Sequence, residues 1–195
     1  MIEHLTKYNV NVHTQILQAP SGNHRGGRVT VERLARHMSH AYHSYDRITT
    51  LVDFYGFRDR NGRGKAEIET AILDAMQSRT TGFDPRFVLP YVQMYEFEGL
   101  LFSEIAAFAW VQDGWNQDVK AKLQKVRDAF NTPEDINDNP KTAPSKRILA
   151  IFGAGAYSKT EHGPLIAEVI GLEKIRSQCP AFDDWLGRLE AWGQS

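Results

Sequence analysis

VLPYVQMYEFEGLLF, residues 88–102, reads as the inside of a protein except at two positions, Glu96 and Glu98. The run Phe87 to Tyr95 has the composition of a buried strand. Leu100, Leu101, Phe102, Ile105, Phe108 and Ala109 recur at the three- and four-residue spacing of a helix from about Phe97 to Val111. The change from strand to helix therefore falls on the two glutamates. An ionised carboxylate taken out of water is costly unless it is paired, hydrogen-bonded or bound to metal, so two in one apolar stretch call for a reason.

Working outward, Ile48 to Phe54, ITTLVDF, is a second buried-strand pattern with Asp53 near its end. Between the strands, Thr30 to Tyr45 and Glu67 to Ser78 carry helical stripes, separated by the polar loop Arg58 to Lys65. Ahead of them, Ile2 to Tyr8 predicts a short helix, Val10 to Leu17 a partly alternating strand, and Ala19 to Arg28 a Gly/Pro loop. Beyond them come helices over Asp118 to Phe130, Lys146 to Phe152, Leu165 to Gln178 and Phe182 to Trp192. The stretch Thr132 to Ser145 is an irregular connection and Gly153 to Pro164 a loop. Alternating strands and helices predict an α/β fold, a mostly parallel sheet flanked by helices. The expected division is an α/β domain over 1–131 and a helical C-terminal appendage over 132–195 packed on it.

The 195-residue chain carries 23 Lys and Arg against 24 Asp and Glu, so no global charge draws it to nucleic acid or to an anionic membrane, and any anion site must be local. A single cysteine, Cys179, excludes an internal disulfide and a multi-cysteine zinc site and suits a cytoplasmic protein. No signal peptide and no 18-residue apolar run is present, so no membrane association is expected.

If Met94 to Glu98 is extended, Glu96 and Glu98 share a face, and with Asp53 they form three carboxylates near strand ends, where open α/β sheets place ligands. Such a set suits a hard cation, Mg²⁺ or Mn²⁺, which takes oxygen ligands and keeps waters for a phosphate to replace. The alternative is that the glutamates simply begin a helix, where its dipole favours negative charge, and that Asp53 is a turn former. A basic cluster, Lys141, Lys146, Arg147, Lys159 and His162 beside Tyr157, has the donors to hold phosphate, although loop charges are more often solvated. His24, Arg25 and Arg28 read in the same way. The GAG at 153–155 lacks the GxGxxG context, no P-loop or GxSxG is present, and Cys179 beside Pro180 reads as packed rather than reactive.

TTLVDFYGF (49–57), YVQMYEFEGLLFS (91–103), TAPSKRI (142–148) and YSKTEHGPLIAEVIGLEKIRSQCPAFDDWLGRL (157–189) together resemble a bacterial family known as domain of unknown function DUF4276, whose members are similar to Toprim-fold proteins. The resemblance implies a Mg²⁺-dependent, nuclease-type phosphoryl-transfer site, with Asp53, Glu96 and Glu98 as catalytic and metal residues and DNA or RNA as partner. Lys146, Arg147, Lys159 and His162 stand beside them as the candidate phosphate contacts. It further implies work beside an AAA/ABC-type ATPase in defence against phage.

One departure is expected. Family members usually open with a strand and a Glu-Gly turn, whereas MIEHLTKYN matches the end of the helix after that strand. Another chain would then supply the strand, the start would lie further upstream, or the protein would be a non-catalytic interaction subunit of an ATPase complex.

Overall fold

Thr50 and Tyr91 hold together the β structure of the chain. In the computed structural model, which describes residues 1–17, 29–137, 141–153 and 155–194, β1 (Ile48–Thr49) runs parallel to β3 (Val88–Leu89), and β2 (Val52–Asp53) parallel to β4 (Val92–Gln93). Ile48 faces Val88 and Val52 faces Val92, so both pairs share one register. Between them the Thr50 hydroxyl donates to the Tyr91 carbonyl at 2.9 Å and accepts from the Tyr91 amide at 2.8 Å. A side chain thus replaces ladder bonds in mid-strand, which is why each expected strand is found in two short pieces. An isolated parallel bridge joins Val29 to Phe57. The α/β class with parallel strands holds, and the strands are shorter than their apolar runs.

The short helix α1 (Ile2–Thr6) groups with the C-terminal part of the chain. Two compact units result: His13–Met94, and Met1–Val12 with Tyr95–Ser195. In the first, α2 (Val31–Ala41) and α3 (Lys65–Gln77) pack on each other. Leu34, Ala35, Met38, Ile68, Ile72 and Met76 join Val88 and Val92 in one apolar cluster. The Thr30 side chain caps α2 by accepting from the Arg33 amide at 3.1 Å. Lys65 Nζ donates to the Val92 carbonyl at 2.7 Å, while Glu69 Oε1 accepts from the Val92 amide at 2.9 Å. Both polar backbone groups of that β4 residue are therefore satisfied from α3. Val10 to Leu17 forms no strand. Its residues are exposed or half-buried, with Ile16 65% exposed, so no buried face enforces the weak alternation.

In the second unit the expected helix from Phe97 to Val111 is two 3-10 helices, Phe97–Ser103 and Ile105–Val111. They are divided at Glu104, which is extended (φ −149°) and accepts from the Ala106 amide. Glu98 to Ser103 are buried in succession, and in the second helix the exposed residues, Ala106, Ala109 and Trp110, are apolar too, so the sequence has no polar face whose period would distinguish α from 3-10 winding. Gly99 permits the close approach of the Pro133 backbone, since a Cβ there would lie 3.2 Å from the Pro133 carbonyl oxygen. Then follow α4 (Gln117–Asp128), α5 (Pro144–Phe152), α6 (Lys159–Ile170), α7 (Leu172–Gln178) and α8 (Pro180–Trp192). Helix α6 begins inside the expected 153–164 loop and carries Pro164 within it, and Gly171, at φ 78°, ends it where one helix to Gln178 was expected.

The core of this unit includes a row of rings, Phe102, Phe108, Phe152 and Tyr157, at centroid spacings of 5.7, 6.3 and 6.2 Å. The buried Glu134 carboxylate caps α8, accepting from the Ala181 and Phe182 amides at 2.8 and 3.1 Å. Helix α1 is tied to α8 by His4 Nε2, 2.5 Å from Glu190 Oε1, the same oxygen that accepts from Arg176 Nη1 at 2.5 Å.

Candidate functional site

Tyr95, just after β4, has φ 59°, a left-handed conformation uncommon for a non-glycine residue, and it turns the chain into the 3-10 helix. Glu96 is then extended (φ −147°, ψ 154°) at the N-cap, and Glu98 lies in the first turn. Locally the glutamates begin a helix. Their carboxylates nevertheless meet: Lys159 Nζ is 3.2 Å from Glu98 Oε1 and 3.6 Å from Glu96 Oε1. The Glu98 side chain is 8% exposed and that of Glu96 14%, against 42% for Lys159, so the two anions lie inside and the cation reaches them from the surface. The second Glu96 oxygen accepts from the Ser145 amide at 3.0 Å, in the first turn of α5, where the helix dipole adds positive potential.

Two hydroxyls in these elements lack partners among the described residues, Ser145 Oγ and the Tyr157 phenol, both in buried residues. Burial first, then the charges of Glu98 and Glu96, push the Tyr157 phenol well above the usual tyrosine range, so it remains a neutral O–H donor. A buried hydroxyl without a partner costs free energy, so Tyr157→Phe is expected to leave stability unchanged or raise it by about 1 kcal/mol. The matched control is Tyr91→Phe, whose hydroxyl donates to Gln93 Oε1 at 2.9 Å, and which should lose about 1 kcal/mol. Urea denaturation of the two variants reads both, and an equal loss in each would show that the Tyr157 hydroxyl has a protein partner.

The other predicted residues are distributed as follows. Asp53 is half-buried at the end of β2 in the His13–Met94 unit, while Glu96 and Glu98 belong to the other unit. Lys146 is exposed on α5. Arg147 donates through Nε to the Thr142 carbonyl at 2.7 Å and lies over the Phe130 ring at 5.4 Å, a local packing role. His162 Nδ1 accepts from the Ser158 amide at 2.9 Å, at the start of α6. Of the four expected phosphate contacts, Lys159 is the one whose ion pairs reach the glutamates. His24, Arg25 and Arg28 lie outside the described residues. Among the described residues, no group of three or more His, Cys, Asp or Glu side chains is arranged to hold a metal ion.

Cys179 is buried, 3.4 Å from Ser103 Oγ, and burial above all pushes its thiol up to about 12, as suits a packed rather than a reactive cysteine. Ser145 was not legible as a carboxylate partner because the helix was expected to start at Lys146. Pro144 at the first helical position was the available signal. Tyr157 stood in a stretch read as loop, and nothing in its spacing marked its hydroxyl.

No helix among the described residues is long and apolar enough to cross a membrane. Comparison with curated proteins finds no match, and comparison with solved structures finds none either. The family model described as "Domain of unknown function (DUF4276)" matches residues 1–190. With nearly its whole length matched, the chain belongs to the DUF4276 family.

Proposed function

We propose that this protein is a Mg²⁺- or Mn²⁺-dependent, nuclease-type subunit that cleaves phosphodiesters, with Glu96 and Glu98 as the residues that hold the ion and Asp53 as a further carboxylate. The observation that carries the reading is the convergence of two nearly buried carboxylates on one cation, Lys159. The donors fit a hard divalent ion, because both are carboxylate oxygens and the Lys159 side chain is exposed enough to leave toward solvent. Asp53 is kept as a further carboxylate on the family resemblance alone, which carries it over with the two glutamates.

When bound, the ion would neutralise charge on the scissile phosphate and polarise a water. The chain's own groups divide the remaining work. The Ser145 amide fixes the orientation of Glu96, Lys159 offers an ammonium to a phosphate oxygen, and the Tyr157 phenol supplies a neutral donor beside two anions. A second reading, a non-catalytic subunit of an ATPase complex, is favoured by the same ion pairs, since Lys159 balances both carboxylates without any ligand. The ATPase partner and a role in phage defence rest on the family resemblance.

The test is incubation of single- and double-stranded DNA and RNA with the wild type and with Glu96→Gln, with Mg²⁺, with Mn²⁺ and with EDTA. Cleavage that needs the metal and falls on the order of 100-fold or more in the variant is expected. Cleavage indifferent to EDTA or to the substitution contradicts the metal reading, and no cleavage under any condition, with ATPase binding intact, favours the second.

A further inference from the structure

Helix α2 buries Val31, Leu34, Ala35 and Met38, and its opposite side carries Arg33, Arg36, His37 and His40, spaced i, i+3, i+4 and i+7. These four residues, with Gln15, Ile16 and Leu17, line an open groove of about 650 Å³ within the His13–Met94 unit. Among the described residues, no carboxylate lines the groove. Glu32, the one acidic residue of α2, is ion-paired with Arg79 and lies 3.9 Å from Arg36, outside the lining. His37 Nε2 is buried without a hydrogen-bond partner among the described residues.

The chain as a whole has a formal net charge of −1, so two guanidiniums and two imidazoles along one groove are a local concentration rather than a reflection of overall basicity. From Arg33 to His40 the row rises about 10 Å along the helix, long enough to meet more than one phosphate of a strand. Guanidiniums match phosphate oxygens with two parallel donors. In the same lining, Ile16, 65% exposed, and Leu17 offer apolar surface to sugars and bases.

We infer that this groove is a binding site for the phosphodiester backbone of a nucleic-acid strand, held by Arg33, Arg36, His37 and His40. The identity of the ligand rests on the nuclease reading, and the groove adds where the protein grips the strand. Contacts of this kind position a strand without reading its sequence.

Fluorescence anisotropy with labelled single-stranded DNA and RNA, in EDTA so that no cleavage intervenes, tests the site. Arg36 and His40 are exposed, so Arg36→Glu with His40→Glu should fold, and Arg36→Gln with His40→Gln serves as the milder pair. Weakening of binding by about 10-fold or more in the charge-reversed protein, with a shallower dependence of log affinity on log salt, is expected. Because the readout is binding in EDTA, a failure here is read separately from a failure of the cleavage reading. Wild-type binding that is absent, that is unchanged in both folded variants, or that is replaced by binding of poly-glutamate would overturn the proposal.

Discussion

Lys159→Ala is expected to lower the stability of the protein by about 2–3 kcal/mol, because it strands Glu96 and Glu98 together in a nearly buried position. Removing one partner of a buried ion pair typically costs about 3–5 kcal/mol. The lower figure follows from the 42% exposure of Lys159, which lets water screen part of the attraction. The aliphatic stem also packs, so Lys159→Met is the necessary companion: it keeps the stem and deletes only the charge. Urea denaturation should show most of the loss in both variants. A full recovery in Lys159→Met would assign the effect to packing and remove the electrostatic account of the site.

Glu190→Gln should cost a comparable amount, about 2–4 kcal/mol at neutral pH, by breaking the junction of α1, α7 and α8. Burial alone would raise the Glu190 carboxyl. Hydrogen bonds from Arg176 and His4 outweigh it and hold the group below its ordinary value of 4.5. A carboxyl lowered in the folded state binds protons more readily when unfolded, so its contribution is complete above about pH 4.5 and is lost as pH falls through the depressed folded value. The wild type should therefore lose stability on acidification in that window faster than Glu190→Gln, and the gap between them should narrow. A gap constant from neutral pH to about pH 3 would contradict the linkage.

Where one face of an element is buried and the other wet, the sequence was readable. The stripes of Thr30 to Tyr45 and Glu67 to Ser78 became α2 and α3 with shifts of a few residues, whereas the strand pieces at Val88 and Val92, buried on both faces, were legible instead from their short apolar runs. Readability failed where buried and exposed positions are both apolar, as over Phe97 to Val111 with its exposed Ala106, Ala109 and Trp110, or where nothing is buried, as over Val10 to Leu17. It failed again around Tyr157 to Pro164, where glycine and proline looked like loop yet Pro164 sits inside α6.

The glutamates show the deeper limit. Their local conformation could be argued as a helix start, and their pairing as a shared site. The structure has both, because Lys159, far along the chain, is brought to them by folding and no local pattern announces it.

If Glu96 and Glu98 form a site for a divalent cation, deleting the ammonium that now sits between them should make the folded protein depend on that cation. The direct measurement is the thermal midpoint of Lys159→Ala with and without Mg²⁺, beside the same variant carrying Glu98→Gln. Mg²⁺ should raise the midpoint of Lys159→Ala, as binding to the folded state alone requires, and leave the doubly substituted protein unmoved. No rise in Lys159→Ala, or an equal rise in both, would contradict the assignment of the glutamate pair as the metal-holding site.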